Sequence, residues 1–220
     1  MTNCSQLSEP FSLTVDVHQT VEDVFQLFGD EYDGFVPVLE GNQFLGFISA
    51  PELEDLDASV SLDNVQHLLI KAFVKSSDHF FQALKIRSKF QLNLIPVVSE
   101  KLEWEGVIKE DRLLDQAASV LGITEKGSLL VLEMSALDYA PGEINRLVES
   151  NDAMVMGLNT QVDPQTGFMQ VILRINREDI SDVVASFQRH DYTVLFYYGE
   201  EHYENSLQSN LDHLLNYLNI

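Results

Sequence analysis

The sequence predicts an α+β fold built from two copies of a β-α-β-β-α unit followed by a β-α-β-β-α-β unit. Three observations predict it. The first 120 residues repeat themselves at an offset of about 59. Residues 128–199 follow a different, split β-α-β rhythm. And 45% of the 220 residues are apolar, enough to fill several small cores.

The first copy runs Leu13–Val17, Thr20–Phe28, Gly34–Val38 and Phe44–Ser49; the second runs Ala72–Ser76, Asp78–Ser88, Asn93–Val98 and Trp104–Lys109. Val15 aligns with Val74, Pro37 with Pro96 and Val38 with Val97, whereas Gly46 aligns with Gly106 one residue later. The hairpin turn of the second copy is therefore expected to be one residue longer. Each copy opens on a short extended segment. A helix then starts at Thr20, with Glu22 and Asp23 in its first turn, or at Ser77 before Asp78. Val21, Val24, Phe25 and Phe28 recur at helical spacing, as do Phe80, Phe81 and Leu84. The strands Phe35–Leu39 and Leu94–Val98 contain a proline, which predicts an edge position or a strand end. A second strand and a closing helix follow, the latter over Pro51–Leu56 or Asp111–Leu121.

This unit, with its Pro-Val strand and its Gly-apolar-Ile before the last helix, resembles the CBS domain, and two in tandem resemble a Bateman module. The resemblance implies repeats packed pseudo-symmetrically, a homodimer, and clefts that in many members take adenine nucleotides and regulate a partner protein. The family's nucleotide signature is Gly-x-x-Ser/Thr-x-x-Asp, in which the hydroxyl meets phosphate and the carboxylate accepts the ribose hydroxyls. The first copy has Gly46, Ser49 and Glu52 at these places; the second has Gly106, Lys109 and Arg112, with Asp111 adjacent. Ser49, Glu52, Lys109, Asp111 and Arg112 are thus the candidate cleft residues. Two readings stay open for each set. Ser49-Ala-Pro-Glu52 is also a helix-capping box. Lys109 and Arg112 either meet an anion or form a solvated helix end.

In the C-terminal half, strands are expected over Leu129–Leu137, Ala153–Gln161, Phe168–Ile175 and Thr193–Tyr198, with helices from Pro141 to about Ser150 and from Asp179 to His190. This ferredoxin-like β-α-β-β-α-β segment, with Asp138-Tyr-Ala-Pro-Gly142 at its first strand-to-helix turn, resembles the ACT domain, a small-molecule-binding regulatory module. The resemblance implies a ligand loop at Asp138 and Gly142. The alternative is that Pro141-Gly142 simply begins a helix. Ala153-Met154 stand where the family often has Asn-Ile, and Asn151 lies two residues earlier. A CBS pair followed by an ACT domain resembles the acetoin-utilisation accessory proteins of bacteria. The expected divisions are 1–67 and 68–124 for the repeats, 127–202 for the ACT-like domain and 203–220 for an amphipathic C-terminal helix. That helix would carry Leu207, Leu211, Leu214, Leu215 and Leu218 on one stripe.

Charge narrows the function classes. The chain has 35 acidic and 13 basic residues, a net of −22, which repels nucleic acid and anionic membrane surfaces. All the basic residues of the first 112 positions fall between Lys71 and Arg112, so an anion meets its least hostile field there; the alternative is that charge simply varies between surfaces for solubility. Cys4 is the one cysteine, which excludes an internal disulfide framework and a cysteine zinc cluster. The sequence contains neither a signal-peptide pattern nor an apolar run of membrane-spanning length, and a cytoplasmic protein is expected. It also lacks a P-loop, Gly-x-Gly-x-x-Gly, Gly-x-Ser-x-Gly and His-Glu-x-x-His. The expectation is a non-enzymatic, ligand-sensing regulatory protein without metal or resident cofactor, whose ligand is an adenine nucleotide or similar anion. The alternative is an interaction or assembly module with degenerate clefts. The regulated protein is not named by the sequence.

Overall fold

The computed structural model of the chain describes residues 2–28 and 35–199. It divides into two units, Met1–Ala117 and Ala118–Ile220. The helix expected over 203–220 lies outside the described residues.

The first unit holds the duplication. Its first repeat comprises β1 (Val15–Asp16), α2 (Val21–Phe28), β2 (Phe35–Glu40) and β3 (Gln43–Ser49), preceded in the chain by a short helix α1 (Cys4–Leu7). The second comprises β4 (Val74–Lys75), α3 (Phe80–Phe90), β5 (Leu94–Val98), β6 (Trp104–Lys109) and α4 (Glu110–Val120). Each repeat forms a three-stranded sheet in the order β1-β2-β3 or β4-β5-β6. The parallel pairings Val15↔Val38 and Val74↔Val97 fall on the positions that the offset of 59 aligns. The longer second turn is there as well, with Leu102 in the left-handed region at φ 63°.

Three local expectations are corrected. Pro37 and Pro96 lie in the central strands, not at an edge. The first strand of each sheet is only two residues long and pairs with Val38 and Leu39, or Val97 and Val98, so it does not reach the proline. Phe47 and Val107, opposite the prolines, direct their own backbone bonds outward to Ile70 and Glu9. No ladder bond is therefore lost at either proline. The second helix starts after His79, whose Nδ1 accepts from Phe81 N–H at 3.3 Å, while Ser77 donates to Glu100. Its counterpart α2 is capped as expected: Asp23 accepts from the backbone and hydroxyl of Thr20 at 2.8 and 2.9 Å. The helix expected over Pro51–Leu56 is a single 3-10 turn, Ala50–Glu52.

The repeats press together at their hairpin tips. Phe44 N–H donates to Leu102 O (2.9 Å) and Trp104 N–H to Asn42 O (2.8 Å). Phe44 stacks on Trp104 at 5.6 Å, above a shared core of Leu39, Phe47, Ala72, Leu92 and Val98. The edges are closed by exchange. The linker before the second repeat pairs with β3 of the first through Ile70 and Phe47. The segment before the first repeat pairs with β6 of the second through Glu9 and Val107, at 2.8 and 3.0 Å. Gly46 and Gly106 make this crossing possible. A Cβ on Gly46 would stand 2.8 Å from Leu69 Cβ, and one on Gly106 would collide with the Glu9 carbonyl.

The second unit has β7 (Ser128–Met134), α5 (Pro141–Glu149), β8 (Val155–Val162), β9 (Met169–Ile175), α6 (Ser181–Arg189) and β10 (Thr193–Gly199), with a four-stranded antiparallel sheet in the order β10-β7-β9-β8. Burial alternates along β7, so Leu130 and Leu132 pack with Leu173, Ile144, Leu147, Val183 and Phe187 under the two helices. On the opposite face Arg174 is buried beneath the segment that leads into β7, donating to the carbonyls of Gly122 (2.9 Å) and Glu125 (2.6 Å). No helix among the described residues is long and apolar enough to cross a membrane.

Candidate functional site

In the second repeat, β5 and β6 pair antiparallel so that Leu94 faces Lys109, and α4 starts directly after Lys109. The chain turns there from strand to helix, which opens a cavity of about 610 Å3 lined by Phe11, Asn93, Leu94, Lys109, Glu110, Asp111 and Leu114. Phe11, Leu94 and Leu114 give it an apolar wall. Asn93, Lys109 and Asp111 give it a polar rim. This combination suits a ligand with one flat apolar part and one charged part.

The charges at the rim are already matched. Lys109 Nζ lies 2.5 Å from Glu9 Oε1, and this hydrogen bond, reinforced by the charge itself, holds the ammonium above its ordinary pKa. Arg87 Nε donates to Glu110 at 3.0 Å, with a second contact through Nη2. Asp111 accepts from Arg112 N–H at 2.7 Å. The Arg112 side chain is exposed, has no partner among the described residues and does not line the cavity. Of the three candidates in this repeat, the fold thus brings Lys109 and Asp111 together at the cavity and leaves Arg112 outside it.

The first repeat closes the equivalent place from within. Ser49 is buried at the end of β3, and the Glu52 carboxylate accepts both its backbone N–H (3.2 Å) and its hydroxyl. Proline at the start of the 3-10 turn completes a capping box. Both side chains are satisfied by each other.

In the second unit, a cavity of about 570 Å3 lies where β7, the turn after it, and the loop between α6 and β10 converge. Asp138 lines it with Glu133, Glu143 and Asp191, beside Phe168, His190 and Tyr192. The Tyr192 hydroxyl is held above its ordinary pKa, first by burial and then by the carboxylate of Glu143. Gly142 is exposed in the first turn of α5 and does not line this cavity. Asn151 is committed elsewhere: its Nδ2 donates to Leu147 O (2.8 Å) and Ser186 Oγ (3.0 Å), tying α5 to α6. Among the described residues no group of three or more His, Cys, Asp or Glu is placed to hold a metal ion.

Sequence reasoning missed Phe11, Asn93, Leu94, Leu114 and above all Glu9. Glu9 lies 100 residues from Lys109, and no local pattern announces the contact. The one available hint is Gly106, whose missing side chain makes room for the Glu9 backbone.

No protein-family model matches the chain. A homoserine O-acetyltransferase of Methanobrevibacter ruminantium is 28% identical over 105 residues, 46% of this chain and 21% of that protein. The chain thus spans about a fifth of the curated relative it matches. Among solved structures, a CBS domain pair/ACT domain protein from Thermotoga maritima is similar with a TM-score of 0.49 and 20% identity, covering 55% of this chain and 99% of that one. The CBS domains of a transcriptional regulator from Streptococcus pneumoniae give 0.45 and 16%, covering 52% and 98%. The protein CBSX2 in complex with AMP gives 0.43 and 18%, covering 55% and 98%.

Proposed function

We propose that this chain is a non-catalytic regulatory protein that senses a small anionic ligand, with an adenine nucleotide as the candidate, in the cleft of its second repeat. The observation that carries this reading is the cavity between β5, the start of α4 and Phe11. Its volume falls within the range of roughly 300–1,000 Å3 usual for small-molecule sites. A base would lie against Leu94, Leu114 and Phe11, a phosphate would meet Lys109, and Asp111 would accept ribose hydroxyls. Occupancy would favour one arrangement of the two repeats over another, and a partner protein, or the second subunit of a homodimer, would read that arrangement. The limits 1–67, 68–124 and 127–202 for the repeats and the ACT-like domain, and a cytoplasmic setting, belong to the same reading. In the second unit Asp138 contributes to a wall of carboxylates that would turn away an anion, so the nucleotide site is assigned to the repeats and Gly142 is given no role in it.

The test is a thermal-shift series with AMP, ADP and ATP on the full chain. A ligand at about 100 times its Kd stabilises the folded state by ~2.7 kcal/mol, a clear rise in Tm. No rise at millimolar nucleotide, or an equal rise in Lys109→Ala, would sink the assignment. A second reading, an assembly module whose clefts no longer bind, is favoured by the mutual satisfaction of Ser49 and Glu52. It predicts co-purification of a partner without any nucleotide.

A further inference from the structure

We infer that the N-terminal segment 2–9, which ends before the Phe11 wall, is a built-in competitor for the second cleft: Glu9 holds the cation an incoming anion needs, so ligand binding and docking of this segment oppose each other. The inference rests on the anionic-ligand reading of that cleft.

The segment precedes the first repeat in sequence but docks on the second. Cys4 N–H donates to Asp78 O (2.8 Å), Ser5 N–H to Ser76 O (3.0 Å), and Glu9 exchanges two backbone bonds with Val107. Cys4 and Leu7 are buried in the second repeat's core. The Glu9 side chain adds one more tie, the ion pair with Lys109. Among the described residues that line the cavity Lys109 is the one basic side chain, and nearby Arg87 is engaged by Glu110. A phosphate that reaches Lys109 therefore arrives next to a carboxylate. Repulsion between a dianion and Glu9 about 5 Å apart lowers affinity roughly tenfold even in water. Binding couplings are reciprocal, so whatever factor Glu9 takes from the ligand, the ligand takes from the docking of the segment.

The chain carries its own reporter. Cys4 is the one cysteine and is fully buried while the segment is docked. Burial, with Asp78 nearby, pushes its thiol up to about 11, so it reacts only when the segment opens.

The experiment measures carbamidomethylation of Cys4 by neutral iodoacetamide at pH 8, in the full chain, against AMP at constant ionic strength. Calorimetric AMP affinities are measured in parallel. In the wild type, saturating AMP should speed labelling roughly tenfold. Glu9→Gln should label faster without ligand, bind AMP roughly tenfold more tightly, and lose the acceleration. Lys109→Ala should label faster without ligand and no longer respond to AMP. The inference is overturned if AMP binds the wild type and leaves labelling unchanged, or if Glu9→Gln binds no more tightly. If AMP binds neither protein, the nucleotide reading of the cleft falls and takes the competition with it. Circular dichroism spectra of both variants serve as the check that they are folded.

Discussion

At the end of β3 the first repeat carries a hydroxyl and, three residues on, a carboxylate; at the end of β6 the second carries Lys109 and Arg112. The backbones around them are alike, with the same pairings, the same bulge after Val38 or Val97, and the same glycine where another segment crosses. The outcomes differ because of what each pair can do alone. Ser49 and Glu52 are donor and acceptor within one turn, so they satisfy each other locally. Two cations cannot, and Lys109 takes its partner from a segment 100 residues away. A locally satisfied pair is a cap. A pair made across the fold is exposed to competition, since another anion can offer what Glu9 offers.

The comparison can be broken first at the crossing glycines. Gly106→Ala would drive a Cβ into the Glu9 backbone at φ +136°, whereas Gly46→Ala meets mainly the Leu69 side chain. We expect a loss of about 4 kcal/mol for the former and about 2 kcal/mol for the latter in urea unfolding. Equal losses would show that the two crossings are equally yielding. Next come the equivalent core positions. Ile48→Ala and Ile108→Ala each empty a fully buried site and should each cost about 3 kcal/mol. A gap above about 1 kcal/mol between them would mean that the repeats are not equally packed. A smaller effect is expected at the clefts. Ser49→Ala should cost about 1 kcal/mol through the lost cap, while Lys109→Ala, at a solvent-exposed pair, should barely move the urea midpoint.

The last contrast is with pH. The first repeat's shifted groups, Asp23 and Asp57, are carboxyls held below their ordinary value by hydrogen bonds from Thr20 and Ser59. Their contribution is present above the unfolded value near 3.8 and fades as pH falls. Within the second repeat the Glu100 carboxyl is lowered in the same way by bonds from Lys75 and Ser77, but Cys4, Lys75 and Lys109, docked on or within it, are shifted upward, by burial, Glu100 and Glu9 respectively. Their contributions are complete below the unfolded values of 9.0 and 10.5 and fade as pH rises through the folded ones. The urea midpoint should therefore decline above about pH 9, and Cys4→Ala should make that decline shallower between 9 and 11. An identical slope in the variant would show that the thiol is not part of it.

Much of this contrast was written in the sequence. The offset of 59 placed Val15, Val38, Val74 and Val97 in their pairings, and the extra residue before Gly106 announced the longer turn at Leu102. Alternation along 168–175 predicted the strand found at Met169–Ile175, and the order of elements predicted the split β-α-β-β-α-β arrangement of the second unit. What failed were features decided by distant partners or by lengths that periodicity does not fix. Pro37 was misplaced because nothing in its neighbourhood says that β1 stops short of it. Ser77 looked like a cap, but Glu100 claims its hydroxyl. In the site, the capping reading of Ser49 and Glu52 could be made from four consecutive residues. The cavity at Lys109 could not, since its walls come from Phe11, Asn93 and Leu114, and its counter-charge from Glu9.

The exchanged edges have a consequence for how the chain can be divided. Each repeat is completed by the stretch that leads into the other, so neither is whole when expressed by itself: each would keep an arm with nothing to grip and a strand left unguarded. A cut in the loop near Asp57 should instead yield two pieces that reassemble when mixed, because each carries the closure its mate lacks. Two isolated copies of one piece, arms traded across a dyad, would imitate the same trick as a homodimer.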